Sequence, residues 1–416
     1  MNQTRRTFIT TALAGAAATA IAPLAPAQNS RAGNPATTTP GTPPAPPVPD
    51  WQQRFALTPG NPPNDGILFA DLQPQGRGGH MGHALVEYAP GRILGFYPNC
   101  NADNNGHSGN GWMEFRRSVD GGKTWGEPEP LPYSKQLYDS QTGRTAMCEK
   151  AIMTPDGQIL LFLLHCDMQT TNSGKPELLS LWEPYFEPAY IKSRDGGLTW
   201  SEPKMFTKEC GRVYDLLYKD GVIYLLLHAS AERSDARLKN SPYQLYVSQD
   251  NGETFTLRSR LPLGNTKSSF YGTMEFFPSG RLIACVYDQN DEHNLKYTLS
   301  DDEGRTWQPA TRRAFFAKRI RNPQLVRFGD EYFMHGRSGQ GRDKMSGNFI
   351  LYHSLDGIHW DEGTFLRMRE AGTGSYSNNI VVGGRFPGEK QRLLIHTSHA
   401  YKNHLTNTIM WWLDKK

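Results

Sequence analysis

Ser118-Val119-Asp120-Gly121-Gly122-Lys123-Thr124-Trp125 is the stretch that decides the fold, because variants of it recur along the chain. Three close copies and one degenerate copy follow it, at residues 193–200, 248–255, 300–307 and 354–360. The copies follow one another at a nearly even spacing, which is the sequence signature of a repeat architecture. The chain is therefore expected to consist of repeated structural units rather than unrelated domains.

The chemistry of the octapeptide is that of a hairpin turn. Its Asp accepts hydrogen bonds from backbone N–H groups of the turn, and its Gly adopts the positive φ that a Cβ would penalise. The Thr resumes the strand, and the Trp packs its ring beneath the turn. We therefore interpret the repeated carboxylates as structural and not as catalytic acids.

A second repeated pattern consists of a strand, a Gly-containing turn and another strand, and one copy lies before each of the five octapeptides. A further copy follows the last octapeptide. The pattern occurs six times, at residues 84–97, 151–164, 213–227, 273–286, 324–334 and 377–395. A third strand leads into each octapeptide and a fourth returns from it. The sequence thus predicts an all-β fold, a six-bladed β-propeller with four-stranded antiparallel blades. The last blade lacks an outer strand, so we expect the N-terminal segment 66–71 to supply it and close the ring.

The octapeptide resembles the Asp-box of bacterial neuraminidase repeats, which occurs in the propeller superfamily that includes sialidases. The resemblance covers residues 66–416. It implies an enzyme that acts on a glycan or polysaccharide, with a sialidase-like exo-glycoside hydrolase as the first hypothesis. Asp-boxes also occur in propellers with other functions, so activity has to be argued from the site itself.

The first residues have the features of an export signal. Arg5-Arg6 precedes an apolar, Ala-rich stretch at 9–22, and Ala25-Pro26-Ala27 fits a signal-peptidase site. We predict a twin-arginine-type signal peptide at 1–27, a Pro-rich linker at 28–50 and the propeller at 51–416, in a periplasmic or secreted protein. The apolar stretch is short, so no stable membrane insertion is expected after cleavage.

Composition excludes one class of partner. The net charge is +4 and no basic run is present, so nucleic acid is not an expected partner. The five cysteines are an odd number, so at least one should be unpaired, and their spacings fit no metal knuckle. We expect no cofactor. A divalent metal held by histidines is the alternative, although the spacing matches no helix-borne zinc motif.

Strand direction alternates within a blade, so the starts of the first strands and the ends of the second strands should meet around the axis on one face. Polar residues recur at or near these places. The candidate substrate-binding residues are Arg77, His80, Glu149, His165, His228, Tyr271, Tyr287, Arg321, His335, Arg337 and His396. Four of them are histidines at the ends of second strands, which favours a functional role in a shared pocket.

Sialidases hold a substrate carboxylate with three arginines, attack with a Tyr backed by a Glu, and use an Asp as acid/base. By this resemblance Ser375-Tyr376-Ser377 supplies the nucleophile, and Asp103 is the acid/base residue. The sequence departs from the pattern elsewhere. Met81-Gly82-His83 stands where the first arginine is usual, with Arg77 upstream, and Tyr271 stands near the position of the Glu. Arg321 and Arg337 are stand-ins for one arginine.

Two other functions stay open on the sequence alone. One is a His/Tyr-dependent polysaccharide lyase, or a rhamnoside or uronate hydrolase, in which His83 is catalytic together with His80, Tyr287 and Arg337. Imidazole would there titrate close to neutral pH. The other is a non-catalytic glycan-binding propeller, in which the polar loop 99–110 beside Trp112 binds sugars.

Overall fold

The structure is a computed structural model, and it describes residues 50–101, 110–167, 185–229, 242–263, 269–309, 312–338, 348–368, 376–402 and 405–416. It is built from six antiparallel sheets that follow one another along the chain, which confirms the predicted six-bladed propeller. Two short strands precede the blades: β1 (Phe55–Thr58) and β2 (Ile67–Ala70).

Five blades each consist of four strands that are consecutive in sequence. Blade one contains β3 (Ala84–Ala89), β4 (Arg92–Cys100), β5 (Gly111–Ser118) and β6 (Glu129–Pro130). Blade two contains β7 (Arg144–Met153), β8 (Ile159–Asp167), β9 (Ala189–Ser193) and β10 (Lys204–Met205). Blade three contains β11 (Gly211–Lys219), β12 (Val222–Ala229), β13 (Tyr243–Ser248) and β14 (Thr256–Arg260). Blade four contains β15 (Ser269–Phe276), β16 (Leu282–Asp288), β17 (Asp291–Ser300) and β18 (Arg312–Phe315). Blade five contains β19 (Arg321–Phe328), β20 (Glu331–Ser338), β21 (Asn348–Ser354) and β22 (Thr364–Arg367).

Blade six is completed by the N-terminal segment. Its own strands are β23 (Ser377–Val382), β24 (Arg392–Lys402) and β25 (Leu405–Lys415). Strand β2 pairs with β25 from Ile67, which confirms the predicted closure of the ring by 66–71. The additional strand β1, which the sequence did not reveal, pairs with the end of β25 from Phe55. Two short strands are needed because β25 is too long for one of them to cover.

One α-helix, α1 (Pro132–Asp139), links blade one to blade two, and the sequence pattern did not predict it. Ser134 on this helix donates a hydrogen bond to the carbonyl of Ala146 at 2.8 Å and accepts one from the N–H of Met113 at 3.0 Å. Two 3₁₀ helices lie at Trp51–Gln53 and Gln73–Gln75. Within the described ranges, no helix has the length and apolar character needed to cross a membrane.

The octapeptides form the expected turns. The Oδ1 atom of Asp120 accepts the N–H of Thr124 at 3.0 Å, and its Oδ2 atom accepts the Thr124 hydroxyl at 2.6 Å. These hydrogen bonds lower the pKa of Asp120 to about 2. Gly122 has φ 78°, and a Cβ there would lie 2.3 Å from the Trp412 ring. The carboxylate is held by its own turn, which supports a structural role.

Lys150 links the innermost strands of several blades at the axis. Its Nζ atom lies 3.1 Å from Oδ1 of Asp215, 2.5 Å from Oε1 of Gln324 and 2.9 Å from Oδ1 of Asn378. These partners belong to blades three, five and six. Oδ2 of Asp215 in turn accepts the hydroxyl of Thr273 in blade four, at 2.8 Å. One lysine and its partners therefore link five of the six innermost strands.

All five cysteines are buried, and Cys100, Cys148 and Cys285 are free thiols, which confirms that at least one cysteine is unpaired. Each lies in or next to a blade strand, where a thiol packs as a small apolar group. Burial raises the pKa of the Cys285 thiol to about 12, so this thiol stays protonated and unreactive at neutral pH.

Candidate active site

A small cavity of about 40 Å³ lies on the propeller axis, and every blade contributes to its wall. Its polar and aromatic lining residues come from the beginnings of the first strands. They include His83, Glu149, Lys150, Arg212, Tyr271, Asn322 and Tyr376. The propeller fold gathers these groups because each first strand begins next to the axis.

Irregular strand pairing determines the direction in which several of these side chains point. The register shifts between Cys148 and Lys150 in blade two, and between Phe270 and Gly272 in blade four. Blades three and five carry corresponding shifts near the start of β11 and β19. Bulges turn a side chain out of the regular alternation and are common beside active sites. Here they present Glu149 and Tyr271 to the axis.

Tyr271 has an unusual backbone. Its φ is 49°, in the left-handed region that bulky residues seldom occupy. The conformation places its ring 5.4 Å from that of Tyr376, edge to face, and 6.1 Å from that of Tyr287, stacked. Such strain persists only where surrounding contacts enforce it, and it clusters at functional sites. The three tyrosines form the aromatic centre of the site.

A chain of hydrogen bonds ends on Tyr376. Glu149 forms a two-pronged ion pair with Arg212, with distances of 2.8 and 3.1 Å. Nη1 of Arg212 donates to the Tyr271 hydroxyl at 2.9 Å, and that hydroxyl donates to the Tyr376 hydroxyl at 3.1 Å. Burial opposes the charge of Arg212, but Glu149 raises the pKa of Arg212 well above its ordinary value. A permanent cation therefore orients this chain of donors.

Two more guanidinium groups lie beside the tyrosines. Arg321 and Arg337 are direct cross-strand neighbours in blade five. Arg321 donates to the Tyr287 hydroxyl at 3.4 Å and lies 3.2 Å from a carboxylate oxygen of Glu292. Cζ of Arg337 lies 5.8 Å from the centre of the Tyr376 ring. With Arg212, three guanidinium groups surround the aromatic centre.

Arg337 differs from the other two arginines because it has no anionic partner among the described residues. It is 7% exposed, its Nε atom has no hydrogen-bond partner, and no carboxylate among the described residues pairs with it. A buried charge is costly unless it is paired. The ring of Tyr376 compensates only part of that cost. The site therefore favours an anionic ligand beside Tyr376.

Two of the histidines expected at the site lie there. The ring of His80 stacks on that of Tyr376, with centroids 6.1 Å apart, and His83 lines the axial cavity. Burial lowers the pKa of His83 to about 3, so its imidazole is neutral at physiological pH. This desolvation argues against the expectation that the imidazole of His83 titrates close to neutral pH.

The four histidines at the ends of second strands do not line the axial cavity. They are held inside the blades by other contacts: His165 by Tyr133, His228 by Tyr214 and Tyr243, His335 by Ser377 and Asn379, and His396 by Phe69 and His83. Burial lowers the pKa of each of the four. In the part of the chain that the structure describes, no three His, Cys, Asp or Glu side chains group as metal ligands.

Arg77 lies beside blade one, and its guanidinium group contacts residues of that blade. It donates to the carbonyl of Asn99 at 2.9 Å and its guanidinium lies 4.4 Å above the Trp112 ring. Asp103, the expected acid/base residue, lies outside the described residues. The structure thus brings together Tyr376 with His80 and His83, and it leaves Arg77 in a separate contact.

Arg212 and Asn322 are site residues to which the sequence interpretation assigned no role. Each residue lies where the first strand of a blade begins, and this position was the only sequence feature that could have indicated a role in the site. The ion pair of Arg212 with Glu149 joins residues 63 positions apart, and it depends on the bulges in β7 and β11. Spacing along the chain cannot reveal such a contact.

Comparison with known proteins agrees with the fold and the repeats. The family described as BNR repeat-like domain matches residues 189–379. A sialidase of Clostridium perfringens is 26% identical over 208 residues, which cover 46% of this chain and 51% of that protein. The match thus spans about half the length of this relative.

Solved structures share the propeller. A protein of unknown function from Dyadobacter fermentans superposes with a TM-score of 0.62 at 14% identity, covering 84% of this chain and 98% of the other. The NanB sialidase of Streptococcus pneumoniae gives 0.58 at 12% identity, covering 84% and 71%. The intramolecular trans-sialidase of Ruminococcus gnavus gives 0.56 at 12% identity, covering 85% and 98%.

Fold, repeats and axial site together define an Asp-box six-bladed β-propeller. The chain matches the BNR repeat-like domain over residues 189–379 and is similar to a sialidase over about half its length, with sialidases among its structural neighbours.

Proposed function

We propose that the protein is an exo-acting glycoside hydrolase of the sialidase type, which removes an anionic terminal sugar from a glycan. The observation that carries this proposal is Arg337, a buried guanidinium without a carboxylate partner among the described residues, beside Tyr376. A substrate carboxylate matches the guanidinium in charge and geometry. Arg321, its cross-strand neighbour, is positioned to add a second donor.

Tyr376 is the proposed nucleophile. A phenol oxygen suits an anionic sugar better than a carboxylate does, because two negative charges would repel each other. Tyr271 donates to this oxygen and is itself polarised by Arg212. This arrangement stabilises negative charge on the Tyr376 oxygen as it forms.

The proposed reaction has two steps. Before the first step the Tyr376 hydroxyl gives its proton to solvent water. The phenolate oxygen then forms a bond to the anomeric carbon while the glycosidic bond breaks, and the leaving oxygen takes a proton from a general acid. Water then attacks the anomeric carbon, gives its proton to the same residue and releases Tyr376. Asp103 remains the prediction for that acid. His80 is stacked against the ring of Tyr376 and restricts its orientation.

The experiment uses purified protein and a fluorogenic aryl sialoside. Wild-type protein should release the aryl group, and Tyr376→Phe should lose at least 100-fold in kcat while still binding the sugar. A fluorinated sialoside that slows the second step should add its mass to wild-type protein and not to the variant. Tyr332→Phe is the matched control, because Tyr332 is a buried tyrosine of β20 that packs on Phe277. Equal turnover by Tyr376→Phe would refute the proposal.

The same purified protein distinguishes the alternatives. A lyase acting on uronic-acid polysaccharides would give unsaturated products that absorb in the ultraviolet. The lowered pKa of His83 disfavours this reaction, since a neutral imidazole with a pKa of about 3 is a weak base. Retention of glycans without any cleavage would leave the binding-only function.

We also propose that the protein is exported through its N-terminal segment 1–27, since Arg5-Arg6 and the apolar stretch after it support that route. Fusion of this segment to a reporter that fluoresces only after export in the folded state tests the proposal. The reporter should reach the periplasm, and replacement of Arg5 and Arg6 by Lys should keep it in the cytoplasm. Export that is unaffected by this replacement would argue against the twin-arginine route.

A further inference from the structure

Asn322 is a buried amide at the axis that has no partner among the described residues. It is 3% exposed, it lines the axial cavity, and neither its Oδ1 nor its Nδ2 atom has a hydrogen-bond partner among the described residues. Its φ of 52° lies in the left-handed region, where Asn is tolerated better than most residues. A buried amide left unsatisfied is costly, so it requires a ligand.

His83 faces the same cavity in a similar state. It is 5% exposed, and among the described residues its ring has a contact with the backbone of His80 that is too poorly aligned to satisfy either ring nitrogen. A neutral imidazole offers one donor and one acceptor, and an amide offers two donors and an acceptor. Two blades that are far apart in sequence thus present complementary polar atoms to one small space.

The charges around this space are already balanced. Glu149 is paired with Arg212 at 2.8 Å, and Lys150 is paired with Asp215 at 3.1 Å. A neutral ligand is therefore favoured over an ion. The cavity volume of about 40 Å³ is sufficient for about three water molecules and too small for a sugar ring.

We propose that the axial cavity holds a cluster of about three ordered water molecules, bound by Asn322 and His83, that hydrogen-bonds to the hydroxyl of Tyr376. Tyr376 lines the same cavity. Tyr271 already donates to that oxygen from one side. Water that donates from the cavity side adds a second hydrogen bond to the phenolate. The role of the water in stabilising the phenolate rests on the proposed function, whereas the existence of the water site does not.

The first test is crystallographic and independent of activity. Crystals of the full chain that diffract to about 1.5 Å should show ordered water within hydrogen-bond distance of Asn322 and His83. In Asn322→Gly, which suits a positive φ, the peak beside residue 322 should be lost while Tyr271 and Tyr376 keep their places. A dry cavity in the wild-type protein would overturn the proposal, whatever its activity.

The second test uses the pH profile of kcat/KM on an aryl sialoside. A hydrogen bond donated to the phenolate favours its charged form, so its loss in Asn322→Gly should move the acidic limb to higher pH by roughly one unit. Asn251→Gly is the matched control, because Asn251 has φ 55° and lies in the third octapeptide, away from the axis. A profile of Asn322→Gly that coincides with this control would contradict the role of the water. Absence of any turnover in wild-type protein would instead refute the proposed function.

Discussion

The hydroxyl of Tyr271 donates a hydrogen bond to the hydroxyl of Tyr376 across 3.1 Å. Arg212 can only donate, so the Tyr271 oxygen accepts from it at 2.9 Å and the Tyr271 O–H group is available to donate to Tyr376. A carboxylate next to Tyr376 would instead accept its proton. In the proposed reaction this hydrogen bond would stabilise the phenolate of Tyr376 by donation, a role that the Glu has no means to fill in the family pattern that the sequence resembles.

Replacement of Tyr271 by Phe tests this relationship. The variant keeps the ring and its packing on Tyr287 but loses the donor to Tyr376. Hydrogen bonds to charged groups contribute about 1.5–3 kcal/mol, so kcat should fall roughly 10- to 150-fold. The acidic limb of the pH profile should also move to higher pH, because the phenolate becomes harder to form. Unchanged kcat with a normal profile would show that Tyr271 only packs against Tyr376.

Arg337→Met should separate stability from activity. Removal of a buried charge that lacks a carboxylate partner among the described residues should raise the free energy of unfolding by roughly 1–4 kcal/mol. The same change should raise KM for an anionic aryl glycoside at least 10-fold, because the carboxylate loses its charged donor. Chemical denaturation and steady-state kinetics on one preparation measure both effects.

The matched control is Arg392→Met. Arg392 is partly exposed and forms an ion pair with Asp414 at 2.7 Å in the sixth blade. This substitution should leave KM unchanged and should not stabilise the fold. A loss of stability in Arg337→Met would mean that the guanidinium is compensated in the folded state, and the argument for a substrate carboxylate would fail.

The fold could be predicted from sequence because its signals are local. Each octapeptide encodes one turn through contacts that span four residues, as between Asp120 and Thr124, and the repeat then determines the number of blades. Even the degenerate fifth copy forms its turn, with the N–H of His359 donating to Asp356 at 2.8 Å. Closure by a second N-terminal strand at Phe55 carries no such signal, because its pairing partner lies at the other end of the chain.

The site was less predictable because it depends on contacts between blades. Residue type pointed to Tyr376 and Tyr271, but the bulge that sets Tyr271 at φ 49° has no sequence pattern. The histidines at strand ends are equivalent by position, yet a shared position along a blade does not mean a shared pocket. His335 illustrates this, since it contacts Ser377 and Asn379 of the neighbouring blade.

Lys150→Met should destabilise the propeller strongly. The substitution leaves Asp215 buried without its cation, which costs about 3–5 kcal/mol for a buried ion pair. The double variant Lys150→Met/Asp215→Asn should recover part of this loss, because the uncompensated charge is removed as well. Denaturant midpoints of the wild type, both single variants and the double variant give the coupling energy. A double variant no more stable than Lys150→Met would contradict the conclusion that this ion pair links the blades at the axis.

Acid sensitivity should follow from the buried histidines. Burial lowers the pKa of His228 and of His335 to about 3 each, and it lowers the pKa of His396 well below its ordinary value of 6.5. The unfolded chain therefore binds more protons than the native protein as the pH falls below about 6.5. The stability contributed by each neutral imidazole is fully present above that pH and is lost progressively as the pH falls towards the folded-state pKa.

His396→Leu measures the contribution of one imidazole. Between about pH 6 and pH 4 the slope of unfolding free energy against pH should decrease by about one proton, or about 1.4 kcal/mol per pH unit. Ile395→Leu is the control, because Ile395 is a buried neighbour in β24 without a titratable group and its substitution should leave the slope unchanged. Since His396 lies 4.6 Å from the Phe69 ring in an apolar contact, Leu is expected to pack there without a large loss of stability at pH 8. A slope that stays the same in His396→Leu would mean that His396 is protonated in the folded protein. A charged imidazole between Phe69 and His83 would require an anionic partner, which the described residues do not supply.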